Sequence, residues 1–115
     1  LPFFIKAISL SMNEFTHMNL VVDPETDSEG YIQRYVIKKD HNFAVAIDSP
    51  EGLITPVIKR VNEKSIMQIN LDLRDLVDRA KNHQLTVDDY AGGTFSVSSV
   101  GNIGGKYFVP TILRP

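Results

Sequence analysis

The 115 residues contain no cysteine, which excludes disulfides, cysteine-bound metals and thiol nucleophiles together. No apolar run approaches the ~20 residues that a membrane-spanning helix needs. No charged-then-apolar targeting segment opens the sequence, and no membrane partner is expected. An excess of charge of one sign is missing too. Twelve Lys and Arg stand against 14 Asp and Glu, a formal net charge of −2, so there is no electrostatic footprint for nucleic acid. Histidine is scarce. His17, His41 and His83 stand at no metal-ligand spacing, and no metal site is expected. Repeats, low-complexity tracts and linkers are absent as well.

What remains is ordinary globular composition, 43% apolar and 23% charged. A chain of this length suits one domain and buries roughly 60–70% of its extended surface on folding. It opens at Leu1 instead of Met, and we read it as a fragment.

Pro2 suits the first turn of a helix, where its missing N–H costs nothing. Phe3, Phe4, Ile5, Ala7, Ile8, Leu10 and Met12 then make the segment to about Glu14 apolar on most sides, the pattern of a buried helix. Asn19 to Val22 reads as a short strand. Asp23 to Gly30 is an acidic, turn-rich loop. Its four carboxylates do not reproduce the full ligand pattern of a helix–loop–helix calcium site, and we read a solvated loop. Tyr31 to Lys39 alternates loosely, as a strand does. Phe43 to Ile47 is continuously apolar, which suits a strand covered on both faces. Asp48 to Gly52 is a turn, and Leu53 to Arg60 the next strand, with Pro56 implying an edge or a bulge. Ser65-Ile66-Met67-Gln68 is a capping box. The following Ile66, Ile69, Leu73, Leu76, Val77 and Ala80 recur at helical spacing, an amphipathic helix lying on a sheet. Thr86 to Asp89 is a second cap-like turn.

The stretch from Tyr90 to Pro110 stands apart. It opens on Gly92-Gly93, and Thr94 to Val100 then alternates. Phe95, Val97 and Ser99 point one way; Thr94, Ser96, Ser98 and Val100 point the other. Gly101, Gly104 and Gly105 follow. Hydroxyls fill four of the seven strand positions. Burying one without a partner costs about 1–3 kcal/mol, so at least one of them is expected to be in use. The pattern fails as a nucleotide loop, because Lys106 to Val109 is strand-like where a helix would have to begin.

Gly92-Gly93-Thr94-Phe95-Ser96-Val97-Ser98-Ser99-Val100-Gly101-Asn102-Ile103-Gly104-Gly105, with Pro110 following, resembles the catalytic domain of the 2-oxoacid dehydrogenase complex acyltransferases. Leu1-Pro2-Phe3-Phe4-Ile5-Lys6-Ala7 resembles the opening of that domain's first helix. The stretch from His41 through Asp48-Ser49-Pro50-Glu51-Gly52 to Lys59 resembles its central hairpin. The likeness covers essentially the whole chain but only about the first half of the family's domain. The family's His-x-x-x-Asp-Gly motif does not occur in these residues. The expected fold is therefore α/β: a mixed, largely antiparallel sheet with two main helices packed on it. It is chloramphenicol-acetyltransferase-like and truncated, with residues 1–115 forming a single incomplete domain.

The resemblance implies an enzyme that transfers an acyl group from dihydrolipoamide to coenzyme A. It implies a homotrimer built into a higher-order core, served by a separate lipoyl domain and the other components of the complex. The compartment would be the mitochondrial matrix in a eukaryote and the cytoplasm in a bacterium. Leu1-Pro2-Phe3-Phe4-Ile5-Lys6 is closest to the branched-chain members. Carried over residue by residue, the likeness makes Ser98 the active-site serine, a hydrogen-bond donor to the oxyanion of the tetrahedral intermediate. It places Asp48, Ser98 and Ser99 in coenzyme A contacts. Two of them have a structural alternative: Ser98 can bond backbone in a glycine-rich turn, and Asp48 can cap its own turn. A local triad of Ser98, His41 and Asp48 is rejected, because His41 beside Asn42 in a turn is expected to face solvent. The family's general base is the histidine of the absent motif, so these 115 residues alone are expected to be inactive. The reading of another class is a non-catalytic oligomeric core or binding module.

Overall fold

A computed structural model describes residues 1–99 of the chain. Helix α1, Pro2–Ser11, begins at the proline and ends where the Met12 N–H bonds back to the Ile8 carbonyl. Ile5, Ser9 and Met12 lie along one stripe and are buried. The other side is open, with Phe3 at 72%, Phe4 at 71% and Leu10 at 57% exposure. The helix expected to be buried all round is therefore buried along one face only. Its neighbours explain this, since it packs mainly on the second helix and on the short turn Val61–Glu63.

A single helical turn, Thr16–Asn19, leads into β1, Leu20–Val22, which pairs antiparallel with β2, Tyr35–Ile37. The strand expected over residues 31–39 is cut to three residues. The Asp27 carboxylate is the reason: it accepts the N–H groups of Glu29 and Tyr31 and the Gln33 amide, and so curls the approach to β2. Asp23 and Glu25 are taken by Arg34. The acidic loop thus spends most of its carboxylates on itself.

The central sheet has the order β6-β3-β7. Strand β3, Phe43–Val45, is buried at all three positions, as a strand covered on both faces should be. The apolar run continues to Ile47, but the chain changes sheet at Ala46. Ile47 opens a separate hairpin of β4, Ile47–Ser49, and β5, Gly52–Ile54. Strand β6, Val57–Ile58, lies antiparallel to β3 at the edge. Pro56 stands just before it, where only its carbonyl is needed; that oxygen accepts the Val45 N–H at 2.9 Å. Strand β7, Phe95–Val97, runs parallel to β3 on the other side.

Helix α2, Ile66–Lys81, carries both arms of the capping box. Ser65 Oγ accepts the Gln68 N–H at 3.2 Å, and Gln68 Oε1 accepts the Ser65 N–H at 2.7 Å. Its Ile69, Leu76 and Ala80 enter the core with Ile5 and Met12 of α1 and Phe43 and Val45 of β3. The second capping box, Thr86 with Asp89, opens the turn Val87–Tyr90. Asp89 also receives a bidentate pair of bonds from Arg79, at 2.9 and 2.7 Å. These bonds, with those from Thr86, hold its carboxyl well below the usual carboxylate range. The end of α2 is thereby tied to the turn that feeds β7. The result is the expected α/β class, two helices on mixed and mostly antiparallel strands.

Candidate functional site

The chain reaches β7 through two glycines with different tasks. Gly92 stands at φ +77°, which favours a residue without Cβ. At Gly93 a Cβ would meet Val57 Cγ2 at 3.4 Å and Ala44 Cβ at 3.5 Å, so the bare backbone lies close against the sheet. Asn42 receives the incoming chain. Its Nδ2 donates to the Gly92 carbonyl at 2.8 Å, and its N–H donates to Thr94 Oγ1 at 3.1 Å. Its carbonyl accepts the N–H groups of Thr94 and Phe95, at 2.8 and 3.1 Å. The parallel register then sets Phe43 beside Phe95, Ala44 beside Ser96 and Val45 beside Val97. The Phe43 and Phe95 rings pack with centroids 5.5 Å apart, and the Ala46 N–H closes the pairing on the Val97 carbonyl at 3.0 Å.

Ser98 is the next residue, and it is exposed. Its hydroxyl has no partner among the described residues, and the glycines of the turn that could bond it lie outside them. Thr94 is a hydroxyl that the fold itself uses. Ser99 is exposed as well. Gly101, Gly104, Gly105 and Pro110 lie outside the described residues.

Asp48 sits within β4, opposite Leu53, and is exposed. The capping role left open for it belongs to its neighbour. Ser49 Oγ donates to the Gly52 carbonyl at 2.8 Å and accepts the Glu51 N–H at 3.3 Å. Because β4 follows β3 directly after Ala46, Asp48 lies two residues beyond the amide that holds Val97. Asp48 and Ser98 therefore both follow the place where β3 and β7 end together.

His41 does not face solvent; this corrects the expectation. It is 5% exposed, its Nδ1 lies 2.9 Å from Ser9 Oγ, and its N–H donates to Asn62 Oδ1 at 3.0 Å. Burial, the largest influence, lowers its pKa below 6.5 and keeps the ring neutral near pH 7. His41 precedes β3 and Ser98 follows β7, so they stand at opposite ends of this parallel pair. No bond among the described residues joins His41 to Ser98 or Asp48, and the rejected triad is not assembled.

His83 pairs with Glu51 in the β4–β5 turn, Nδ1 to Oε1 2.8 Å, a contact that no local sequence signal announces across 32 positions. His17 stacks edge-on against Phe15. No group of three or more metal-ligating side chains forms among the described residues. A cleft of about 240 Å³ between β6, α2 and the Val87–Tyr90 turn is lined by the ion pairs Lys59–Asp88, Lys64–Asp72 and Arg79–Asp89. Asp75 shares Arg79 with Asp89, so each charged side chain of the lining is engaged by another. Asn42 is the site-building residue that the sequence reading missed, since its partners lie 18 and 50 positions away.

Residues 1–115 match the family model of the 2-oxoacid dehydrogenases acyltransferase (catalytic domain). The lipoamide acyltransferase component of the branched-chain alpha-keto acid dehydrogenase complex of Bos taurus is 39% identical over 115 residues, all of this chain and 23% of that protein. Its Caenorhabditis elegans counterpart is 37% identical, over all of this chain and 24% of that protein. The chain thus spans about a quarter of the length of these curated relatives. Among solved structures, the dihydrolipoamide acetyltransferase of Azotobacter vinelandii superposes with a TM-score of 0.86 at 32% identity, covering 96% of this chain and 43% of that one. A truncated catalytic core of the 2-oxoacid dehydrogenase multienzyme complex from Thermoplasma acidophilum gives 0.83 at 31%, covering 96% and 49%. Sequence and fold agree over essentially the same residues, and the chain belongs to the 2-oxoacid dehydrogenase acyltransferase family, within its catalytic domain.

Proposed function

We propose that this chain forms the serine-bearing part of an acyltransferase centre that passes an acyl group from dihydrolipoamide to coenzyme A within a 2-oxoacid dehydrogenase complex. The observation that carries this reading is Ser98, an exposed hydroxyl with no partner among the described residues, set directly after β7. The thiol of coenzyme A attacks the thioester carbonyl carbon while a base takes its proton. The carbonyl oxygen gains negative charge and accepts a hydrogen bond from Ser98 Oγ. The intermediate then expels the dihydrolipoamide sulfur, which takes up the proton. One such donor is worth about 3–4 kcal/mol in the transition state. Asp48 and Ser99, near the same end of the sheet, are assigned to coenzyme A contacts beside Ser98.

The base is not assigned within the described residues. His41 is buried at the opposite end of the β3–β7 pair, against Ser9, and His83 is engaged by Glu51. We assign the base to the histidine of the family's His-x-x-x-Asp-Gly motif, supplied by a neighbouring subunit of a homotrimer within a larger core. The lipoyl group would arrive on a separate domain, with the other components of the complex as further partners. A branched-chain acyl substrate is favoured by the identity to the branched-chain relatives. Location follows the source: mitochondrial matrix in a eukaryote, cytoplasm in a bacterium.

The second reading is a non-catalytic core or binding module. Assay of the native protein with dihydrolipoamide and isobutyryl- or acetyl-coenzyme A separates the two. Acyl transfer by the native protein, and none by residues 1–115 alone, is the expected result. No transfer by the native protein would favour the module, and turnover by the 115 residues alone would overturn the argument from the base.

A further inference from the structure

We propose that the Asn42 side chain and the Thr94 hydroxyl together form a clamp that fixes the register of β7 on β3, and through it the position of Ser98. Asn42 is thereby a positioning residue for the acyl-transfer step. The inference rests on the reading of Ser98 given above.

Strand β7 pairs with β3 over only three residues, and it follows Gly92-Gly93, which constrain their own backbone little. Such a strand can slip. A slip of one residue would turn Ser98 to the opposite face of the sheet, and a slip of two would carry it some 6–7 Å along. Packing of Phe95 on Phe43 resists this, but apolar contact is non-directional. Directional side-chain bonds to the segment entering β7 are concentrated at Asn42.

The amide of Asn42 splits its two ends between the two neighbours of β3. Nδ2 donates to the Gly92 carbonyl at 2.8 Å, ahead of β7. Oδ1 accepts the Arg60 N–H at 2.8 Å, just past β6. Arg60 stands at φ +52°, an uncommon conformation for a residue with a side chain. Thr94 completes the clamp by closing on the Asn42 backbone, accepting its N–H at 3.1 Å and donating to its carbonyl at 3.3 Å. One side chain therefore ties both edges of the β6-β3-β7 sheet at the point where β7 enters. Ser98 emerges four residues after Thr94, with no tether of its own among the described residues.

The test uses the native enzyme. Thr94→Val keeps the shape and removes the hydroxyl, while Thr94→Ser keeps the hydroxyl; Asn42→Ala is the harsher variant. Thr94→Val is expected to lower kcat about 10- to 100-fold, since misplacement near 1 Å costs on this scale. The Michaelis constants should stay within about twofold, and Thr94→Ser should recover most of the rate. In a Ser98→Ala background Thr94→Val should cost nothing further, because the group it positions is gone. The same loss in both backgrounds, or no recovery with Thr94→Ser, would overturn the proposal. Hydrogen exchange tests the clamp without activity. The Ala46 amide, bonded to Val97, should lose protection in Thr94→Val while the Ile69 amide, bonded to Ser65, keeps its own. Unchanged Ala46 protection would refute the clamp. Normal turnover in Ser98→Ala would instead refute the role of the serine, with the exchange result still deciding the register.

Discussion

His41 and Asp89 carry the proton-linked stability that the fold builds most clearly, and the two respond in different pH ranges. Burial lowers the His41 pKa below 6.5. From 6.5 down to its folded value the unfolded chain binds a proton that the folded chain refuses. The stability from keeping His41 neutral is therefore complete above pH 6.5 and is lost as pH falls through the folded value. Melting temperatures should drop as the pH goes from 7 to 5, and His41→Gln should flatten part of that slope; an identical slope in both proteins would contradict the assignment. Asp89 acts in the acid range, because its folded pKa lies below the ordinary 3.8. Its contribution is present above 3.8 and is lost on further acidification. Asp89→Asn should cost about 2 kcal/mol near neutral pH, a typical value for a charge-assisted hydrogen-bond partner, and denaturant unfolding measures it. The cap at Asp89 was legible in Thr86-Val87-Asp88-Asp89. Its Arg79 partner was not, because helical spacing places Arg79 on the outward face without showing which turn folds over it. His41 was misread for a similar reason: its burial depends on Ser9 and Asn62, distant in sequence.

Among the elements, α2 was the most legible, because a capping box and a helical period are local signals. Ser65→Ala should destabilise the fold by about 1 kcal/mol, read as a lower denaturant midpoint with an unchanged slope; no shift would remove the cap from the account. Strand positions were legible, but their lengths were not. The run from Phe43 to Ile47 is uniformly apolar, yet β3 ends at Val45, which meets the Pro56 carbonyl on one side and Val97 on the other, with the Ala46 N–H making the last bond to Val97. Tyr31 to Lys39 shortened to β2 because Asp27 took the Tyr31 N–H and the Gln33 amide and curled the approach. Helix α1 was misjudged in its surroundings, since apolar residues on every side say that a helix can be buried and not that neighbours surround it.

At the scale of the molecule, the described residues leave large apolar side chains open. Phe3 and Phe4 on α1 are more than two-thirds exposed, and Tyr35, Val36 and Ile37 of β2 are exposed along the whole strand. Exposed apolar side chains of this kind favour association, and among the described residues β2 pairs on one side only, leaving an edge that recruits partners. Residues 1–115 in isolation should therefore self-associate at tens of micromolar. Replacing both Phe3 and Phe4 with Ser should reduce this without unfolding the chain, since neither lies in the core. A sharp monomeric boundary in sedimentation velocity for the unaltered residues would contradict the account. The family was legible from the stretch Gly92 to Gly105 and from the central hairpin, and the superposition at a TM-score of 0.86 agrees with it. How β7 is held was not legible, because Asn42 reads in the sequence as an ordinary turn residue.

The central claim is that Ser98 donates a hydrogen bond only when charge develops in the transition state, and steady-state kinetics of Ser98→Ala in the native protein test it most directly. The turnover number should fall by about 10²-fold or more, with Michaelis constants nearly unchanged. Ser96→Ala is the control. Ser96 is exposed, pairs with Ala44 and lies some 6–7 Å back along the strand, so its loss should cost far less. Equal losses from the two changes at matched stability would mean that the serine is misassigned, and normal turnover in Ser98→Ala would contradict the account.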